Sequence, residues 1–110
     1  MRFLRAQGLV LLIRNFACRC GEIDLILEDS TPIQSRVLVF TEVRYRRSHR
    51  YGGSAASVGA AKQRRIANTA AFFRQRHREF DHVPCRFDVV AVSGAPGDPD
   101  VCWIKAAFGG

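Results

Sequence analysis

The chain has 110 residues, of which 47% are hydrophobic, and a formal net charge of +7. This length fits one domain of ordinary size, and the apolar content argues against wholesale disorder. No apolar run approaches the roughly 18 residues needed to cross a bilayer. The apolar run at residues 9–13 ends at Arg14 without a small-residue cleavage site, which argues against a signal peptide. We therefore expect a cytoplasmic protein of one domain with no membrane partner.

The positive charge comes almost entirely from arginine, with fifteen Arg against two Lys. Arginine forms planar, bidentate contacts with phosphate, so this bias favours a polyanionic partner, with DNA as the first expectation. The alternatives are that basic charge keeps the domain soluble, or that the source genome favours arginine codons. Of the four cysteines only Cys18 and Cys20 are close in sequence, a spacing that favours free thiols over a zinc site.

In chain order, residues 1–8 have the pattern of the last turns of a helix stopped by Gly8. Residues 10–15 and 21–28 read as strands, and residues 29–32 have turn chemistry, which predicts an antiparallel hairpin into a third strand at 37–44. Helical spacing of apolar side chains predicts a helix from Gly59 to about Phe80. Residues 86–92 alternate as a buried strand, residues 94–100 read as a surface loop, and residues 101–104 as an edge strand. The pattern is that of one α/β domain.

Charged residues interrupt two of these apolar strands. Side chains alternate between the faces of a strand, so one face of the first run should carry Glu22, Asp24 and Ile26. The opposite face should carry Ile23, Leu25 and Leu27. One face of the second run should carry Leu38, Phe40, Glu42 and Arg44. If the two runs pair, Asp24 and Glu42 converge beside Arg44. Charges within apolar strands are costly unless they are paired or bind metal.

Two carboxylates on adjacent strands are typical ligands of Mg²⁺ or Mn²⁺. Glu42 follows Asp24 by 18 positions, which fits the spacing of the Asp…Glu-x-Lys pattern of metal-dependent nucleases, with Arg44 in place of the lysine. A bound metal lowers the pKa of water and neutralises charge on a phosphodiester. The pattern alone is weakly specific, and its position within apolar strands strengthens it.

Residues 44–53 mix basic and aromatic side chains before a glycine pair. Such a segment can hold phosphates and stack on bases, and we predict nucleic-acid contacts from Arg46, Arg47, Arg50 and Tyr51. The alternative is a solvated loop without a role. Lys62 and Arg65 form part of a basic first turn of the predicted helix, where they could also meet phosphate.

Several blocks of the chain together resemble the YraN-like family of bacterial proteins. Residues 15–26 (NFACRCGEIDLI) are similar to the family's N-F-R-C-R-x-G-E-I-D-L-I block, and residues 39–44 (VFTEVR) resemble its V-F-V-E-V-K block. Similar later blocks follow in the same order at residues 51–53, 62–65 and 86–90. The resemblance implies a restriction-endonuclease-like α/β fold of the PD-(D/E)XK superfamily, with a central mixed β-sheet flanked by helices. It also implies that the matching Asp24 and Glu42 hold Mg²⁺.

Two departures from the family pattern bear on catalysis. Arg44 stands where the family has lysine, and arginine keeps the charge but cannot act as a base. The family's first helix, which carries a glutamate able to complete the metal site, is expected to be truncated here. Both departures weigh more against catalysis than against the fold or binding.

Three functions remain open from the sequence. We favour a nucleic-acid-binding protein with a weakened nuclease site, acting through its basic residues. The second is a Mg²⁺-dependent endonuclease of structured DNA, with further roles for Glu22, the Val43 carbonyl and Gln63 beside the metal. The third is a protein-interaction domain in which Arg44 and Arg86 close the acidic pair. A homodimer is expected only by analogy with resolvases.

Overall fold

The computed structural model describes residues 2–30, 36–45, 58–95 and 97–109. In these ranges the chain forms two α-helices, one 3-10 turn and five strands. The helices are α1 (Arg2–Ala6) and α2 (Ala60–Arg76), and the 3-10 turn is Arg78–Phe80. The strands are β1 (Leu9–Cys18), β2 (Gly21–Asp29), β3 (Val37–Tyr45), β4 (Cys85–Ala95) and β5 (Asp98–Phe108). No helix in the described ranges is long and apolar enough to span a membrane.

The five strands form one mixed sheet in the order β1-β2-β3-β4-β5. Strands β1 to β3 pair antiparallel, as does β4 with β5, whereas β3 and β4 are parallel. A parallel pair requires a crossover connection, and α2 lies in the connection between β3 and β4. The antiparallel hairpin predicted from the turn residues after β2 is confirmed by the pairing of Asp29 with Val37.

Helix α2 packs on one face of the sheet through an apolar stripe at helical spacing. Ile66, Ala70 and Phe73 are all buried, as the spacing predicts. Phe73 forms edge-to-face contacts with Phe16 of β1 and Phe40 of β3, with ring centroids 5.3 and 6.0 Å apart. These contacts fix the helix over the middle of the sheet and hold its first turns near the ends of β2 and β3.

The opposite face of the sheet is covered by α1. Leu4 of α1 is fully buried in a second cluster with apolar side chains of β1 to β4. The ring of Phe3 meets Trp103 edge-to-face at 6.3 Å. With helices on both faces of a mixed sheet, the observed architecture is consistent with the expected restriction-endonuclease-like α/β fold.

A buried ionic network ties β4 to its neighbours. The carboxylate of Asp88 is completely buried and accepts hydrogen bonds from Arg86 Nε at 3.0 and 3.1 Å, from Trp103 Nε1 at 2.9 Å and from the Ala106 N–H at 2.9 Å. Arg86 also donates to Asp29 Oδ2 at 3.0 Å. Arg86 is thus paired within this network, so the expectation that it closes the Asp24–Glu42 pair is wrong.

Three local predictions need correction. Strand β4 runs to Ala95 and β5 begins at Asp98, so most of the predicted loop at 94–100 belongs to a hairpin. Its strand pairing outweighs the turn propensity of the Gly and Pro residues. The helix ends at Arg76, before the 3-10 turn. Ile23 was expected on the face opposite Ile26, yet both belong to the cluster beneath α2. On the neighbouring strand, Asn15 lies between the Arg14–Leu25 and Phe16–Ile23 pairs and has a φ of 52°.

Candidate metal and nucleic-acid site

The candidate site lies where β2 and β3 separate. Their antiparallel ladder ends at the pair Leu25–Thr41, and the next residue on each strand towards the fork is Asp24 or Glu42. Beyond that pair, β3 remains paired with β4 through Tyr45. The N–H of Val43 therefore has no ladder partner on β2, and it donates to Asp24 Oδ2 at 2.8 Å. This bond holds the Asp24 side chain in the fork.

The carboxyl groups of Asp24 and Glu42 lie within hydrogen-bonding reach of each other in this fork. Burial, and then the neighbouring Asp24 carboxylate, raise the pKa of Glu42 above its usual range, and Lys62 partly offsets the rise. Lys62 Nζ lies 3.1 Å from Glu42 Oε2, and the Glu42 side chain is only 12% exposed. Two acids in one partly buried place repel each other, and a cation relieves that repulsion.

The acidic pair opens into a cleft beneath the start of α2. The cleft has a volume of about 340 Å³ and is lined by Glu22, Asp24, Glu42, Lys62, Arg65 and Ile66. The three residues of α2 lie on one side of the helix because they are spaced three and four positions apart. Negative charge at the floor of the cleft thus faces positive charge on the helix, which suits a cation bound beneath a phosphate.

Two predicted site residues do not line the acidic cleft. Arg44 is half-buried two positions beyond Glu42 on β3, and it is not among the described residues that line the cleft. Gln63 donates its Nε2–H to the carbonyl of Val58 at 2.7 Å and lines a different groove, between α2 and Phe108. Gln63 follows Lys62 by one position, and consecutive helical residues point in directions about 100° apart. The basic side chain that contacts Glu42 is that of Lys62.

The remaining predicted nucleic-acid contacts divide between described and undescribed parts of the chain. Lys62 and Arg65 both line the acidic cleft. The predictions for Arg46, Arg47, Arg50 and Tyr51 fall outside the described residues.

A second concavity adjoins the fork, and most of its residues had no predicted role. It has a volume of about 210 Å³ and is lined by Arg14, Asn15, Asp24, Leu25, Val43 and Tyr45. Asp24 lines this concavity as well as the acidic cleft. The signal for Asn15 was available in the residue type, since Asn tolerates the left-handed conformation that interrupts β1 here. Tyr45 could have been noticed in the sequence as an aromatic residue at the end of an apolar strand.

Comparison with known proteins places the chain in a family. Its residues 1–92 match the model of the uncharacterised protein family UPF0102. It is 48% identical to a UPF0102 protein of Alcanivorax borkumensis, over 97% of the chain and 82% of the relative. It is also 48% identical to a UPF0102 protein of Enterobacter sp. (strain 638), over 98% of the chain and 76% of the relative. The chain therefore belongs to the UPF0102 (YraN-like) family, which its sequence blocks had indicated.

Proposed function

We propose that this chain is a nucleic-acid-binding protein of the PD-(D/E)XK superfamily that hydrolyses phosphodiester bonds of structured DNA with Mg²⁺ or Mn²⁺. The observation that carries the proposal is the convergence of Asp24 and Glu42 at the fork of β2 and β3, with Lys62 3.1 Å from Glu42. Each of these groups has a use in phosphodiester hydrolysis.

The donor set fits a hard divalent cation. Mg²⁺ is commonly held in proteins by one or two carboxylates and several waters rather than by a complete protein cage. Asp24 and Glu42 supply two carboxylates whose mutual repulsion a divalent cation would relieve. Among the described residues no three His, Cys, Asp or Glu side chains form a metal-binding group, so water and main-chain oxygen would complete the coordination.

The Val43 carbonyl is a candidate for that main-chain oxygen. The N–H and C=O of one strand residue lie along the same edge, and the Val43 N–H is directed at Asp24. We therefore expect its carbonyl to face the same fork. Glu22 lines the cleft on the same side as Asp24 and is exposed, so it is placed to orient a water rather than to bind the metal directly.

When bound, the metal would supply an activated water and neutralise charge on the phosphate. The chain's own residues would do the rest. Lys62 would stabilise negative charge on the phosphate, the part taken in the family pattern by the lysine that this chain replaces with Arg44. Arg65, across the same cleft, would bind a neighbouring phosphate of the backbone. A cation from the helix thus compensates for one missing from the strand.

Binding without cleavage is the second candidate, and a specific observation favours it. Lys62 already pairs with Glu42, so a metal must displace a bound cation, and Arg44 cannot serve as a base. In that case the same cleft binds DNA through Lys62 and Arg65, and the protein does not cleave it. Binding of this kind is salt-dependent, because the contacts to phosphate release counterions.

The test is incubation of the purified protein with four-way-junction, flap, duplex and single-stranded DNA in Mg²⁺ or Mn²⁺, then with EDTA. We expect cleavage products that disappear with EDTA and with Asp24→Asn or Glu42→Gln. Asp81→Asn is the matched control, because this acid lies far along the chain in an exposed pair with Arg78. Cleavage that survives Asp24→Asn would refute the assignment. Salt-sensitive binding with no product in any metal would leave the second candidate.

Metal binding can be measured without turnover. A ligand that binds only the folded state stabilises it by about 1.4 kcal/mol at ten times its dissociation constant. We expect Mg²⁺ or Mn²⁺ to raise the melting temperature of the wild type and not that of Asp24→Asn. Equal shifts in both proteins would show that the cation binds elsewhere.

A further inference from the structure

We infer that the concavity lined by Arg14, Asn15 and Tyr45 binds an unpaired nucleobase of single-stranded DNA next to the acidic cleft. The inference rests on the proposed function and adds to it a substrate class: DNA with an unpaired base beside the phosphate held at Asp24. We call this concavity the base subsite.

The first observation is the exposed ring at its edge. Tyr45 is 79% exposed, more than either of the other two large apolar residues that are exposed in the described part of the chain. Tyr45 lines a concavity of about 210 Å³, which is smaller than the roughly 300–1,000 Å³ typical of sites for drug-sized ligands. An exposed aromatic face beside a small hollow suits one flat ring. Base–aromatic stacking is a principal mode by which proteins hold single strands.

The second observation is independent of Tyr45. Asn15 has a φ of 52° within strand β1, a conformation that costs energy in a non-glycine residue and is concentrated at functional sites. Asn15 lines the same concavity, and its side chain carries both a hydrogen-bond donor and an acceptor. Those groups can bond the edge of a base that stacks on Tyr45. Arg14 supplies the positive charge at the rim.

The third observation is continuity with the acidic cleft. Asp24 lines both concavities, so they meet at the side chain proposed to hold the metal. Within a nucleotide, the base and the phosphate are separated by a single sugar. A phosphate bound between the acidic pair and Lys62 would thus place its own or an adjacent base at Tyr45. A base paired within a duplex is stacked inside the helix and could not enter the subsite.

The test measures binding in EDTA, where no cleavage can occur. Dissociation constants are determined by fluorescence anisotropy for a single-stranded oligonucleotide and for a blunt duplex. We expect Tyr45→Ala to weaken single-strand binding by about 5- to 150-fold and duplex binding by less than about twofold. Tyr45→Phe should retain most of the affinity because it keeps the ring. Val10→Ala, a change at an exposed residue of β1 that lines neither concavity, should alter neither affinity.

A direct readout comes from 2-aminopurine placed within the single strand, whose fluorescence falls when it stacks on an aromatic ring. We expect quenching by the wild type and by Tyr45→Phe, and its loss in Tyr45→Ala. Asn15→Gly keeps the backbone conformation, which glycine adopts readily, and removes the side chain with its amide. This variant should bind single-stranded DNA more weakly without a fall in melting temperature.

Equal losses on single strand and duplex in Tyr45→Ala would overturn the inference, since they would indicate a backbone contact. No loss on either DNA would overturn it as well. These outcomes do not depend on whether the protein cleaves DNA. A protein that never cleaves can still show the Tyr45 effect in EDTA, and a nuclease abolished by Asp24→Asn can lack it. A wild type that binds neither DNA would refute both the subsite and the proposed DNA binding.

Discussion

Replacing Asp88 by alanine is expected to destabilise this protein severely, because the buried network of β4 depends on its carboxylate. Asp88 is fully buried and bonds three donors, on Arg86, Trp103 and Ala106. Its removal leaves Arg86, whose side chain is 19% exposed, with Asp29 as its remaining ionic partner. The pKa of Arg86 is raised: burial opposes its charge, but Asp88 and then Asp29 outweigh that effect.

Removing one partner of a buried ion pair costs about 3–5 kcal/mol, a large share of the roughly 5–15 kcal/mol that stabilises an ordinary domain. For a domain near 100 residues this corresponds to a fall of about 12–20 °C in melting temperature. Circular dichroism during heating measures it directly. Asp88→Asn, which keeps the shape and one acceptor oxygen, should fall between Asp88→Ala and the wild type.

The chain provides its own control for this prediction. Asp81 accepts a hydrogen bond from Arg78 Nε at 2.8 Å, in a pair whose side chains are 37% and 81% exposed. Exposed pairs contribute about 0–1 kcal/mol, so Asp81→Ala should change the melting temperature by only a few degrees. If Asp88→Ala and Asp81→Ala had equal effects, burial would not be what makes the Asp88 network important, and the reasoning would fail.

Two further predictions concern the surroundings of the site. Burial and then Asp24 raise the pKa of Glu42. Ionisation of Glu42 therefore lowers the free energy of unfolding, and this penalty is absent below about pH 4 and grows as pH rises through the raised pKa. In EDTA, Glu42→Gln should therefore gain on the wild type in melting temperature as pH increases, and a constant difference would contradict this. Gly21→Ala should cost about 1–3 kcal/mol in chemical unfolding, because Gly21 has a φ of 150° and a Cβ there would lie 3.2 Å from Thr69 Oγ1. Gly59→Ala, where a Cβ would meet no atom within 4 Å, should be close to neutral.

The spacing of apolar residues along the sequence predicted most of the fold. The alternation of Phe87 and Val89 against Val90 and Val92 in β4 is reproduced by their division between the two clusters. The turn prediction at 94–100 failed because pairing with the neighbouring strand outweighs a local preference.

The candidate site shows the same division. The sequence alone identified Asp24 and Glu42, because charges within apolar strands are conspicuous and alternation assigns each to a face. It could not identify Lys62 as the cation beside Glu42, since these residues are 20 positions apart and belong to a helix and a strand. Only the packing of α2 across the sheet brings them to 3.1 Å.

The sequence by itself determined the α/β class, the acidic strands and the family, because these depend on residue type and short-range period. The tertiary structure decided what the acids face. The separation of β2 from β3 after Leu25 and Thr41 created the fork, and the N–H of Val43, which has no backbone partner on β2, holds Asp24 within it. A fork forms where two strands stop pairing. That position depends on the whole sheet and cannot be read from the sequence of either strand alone.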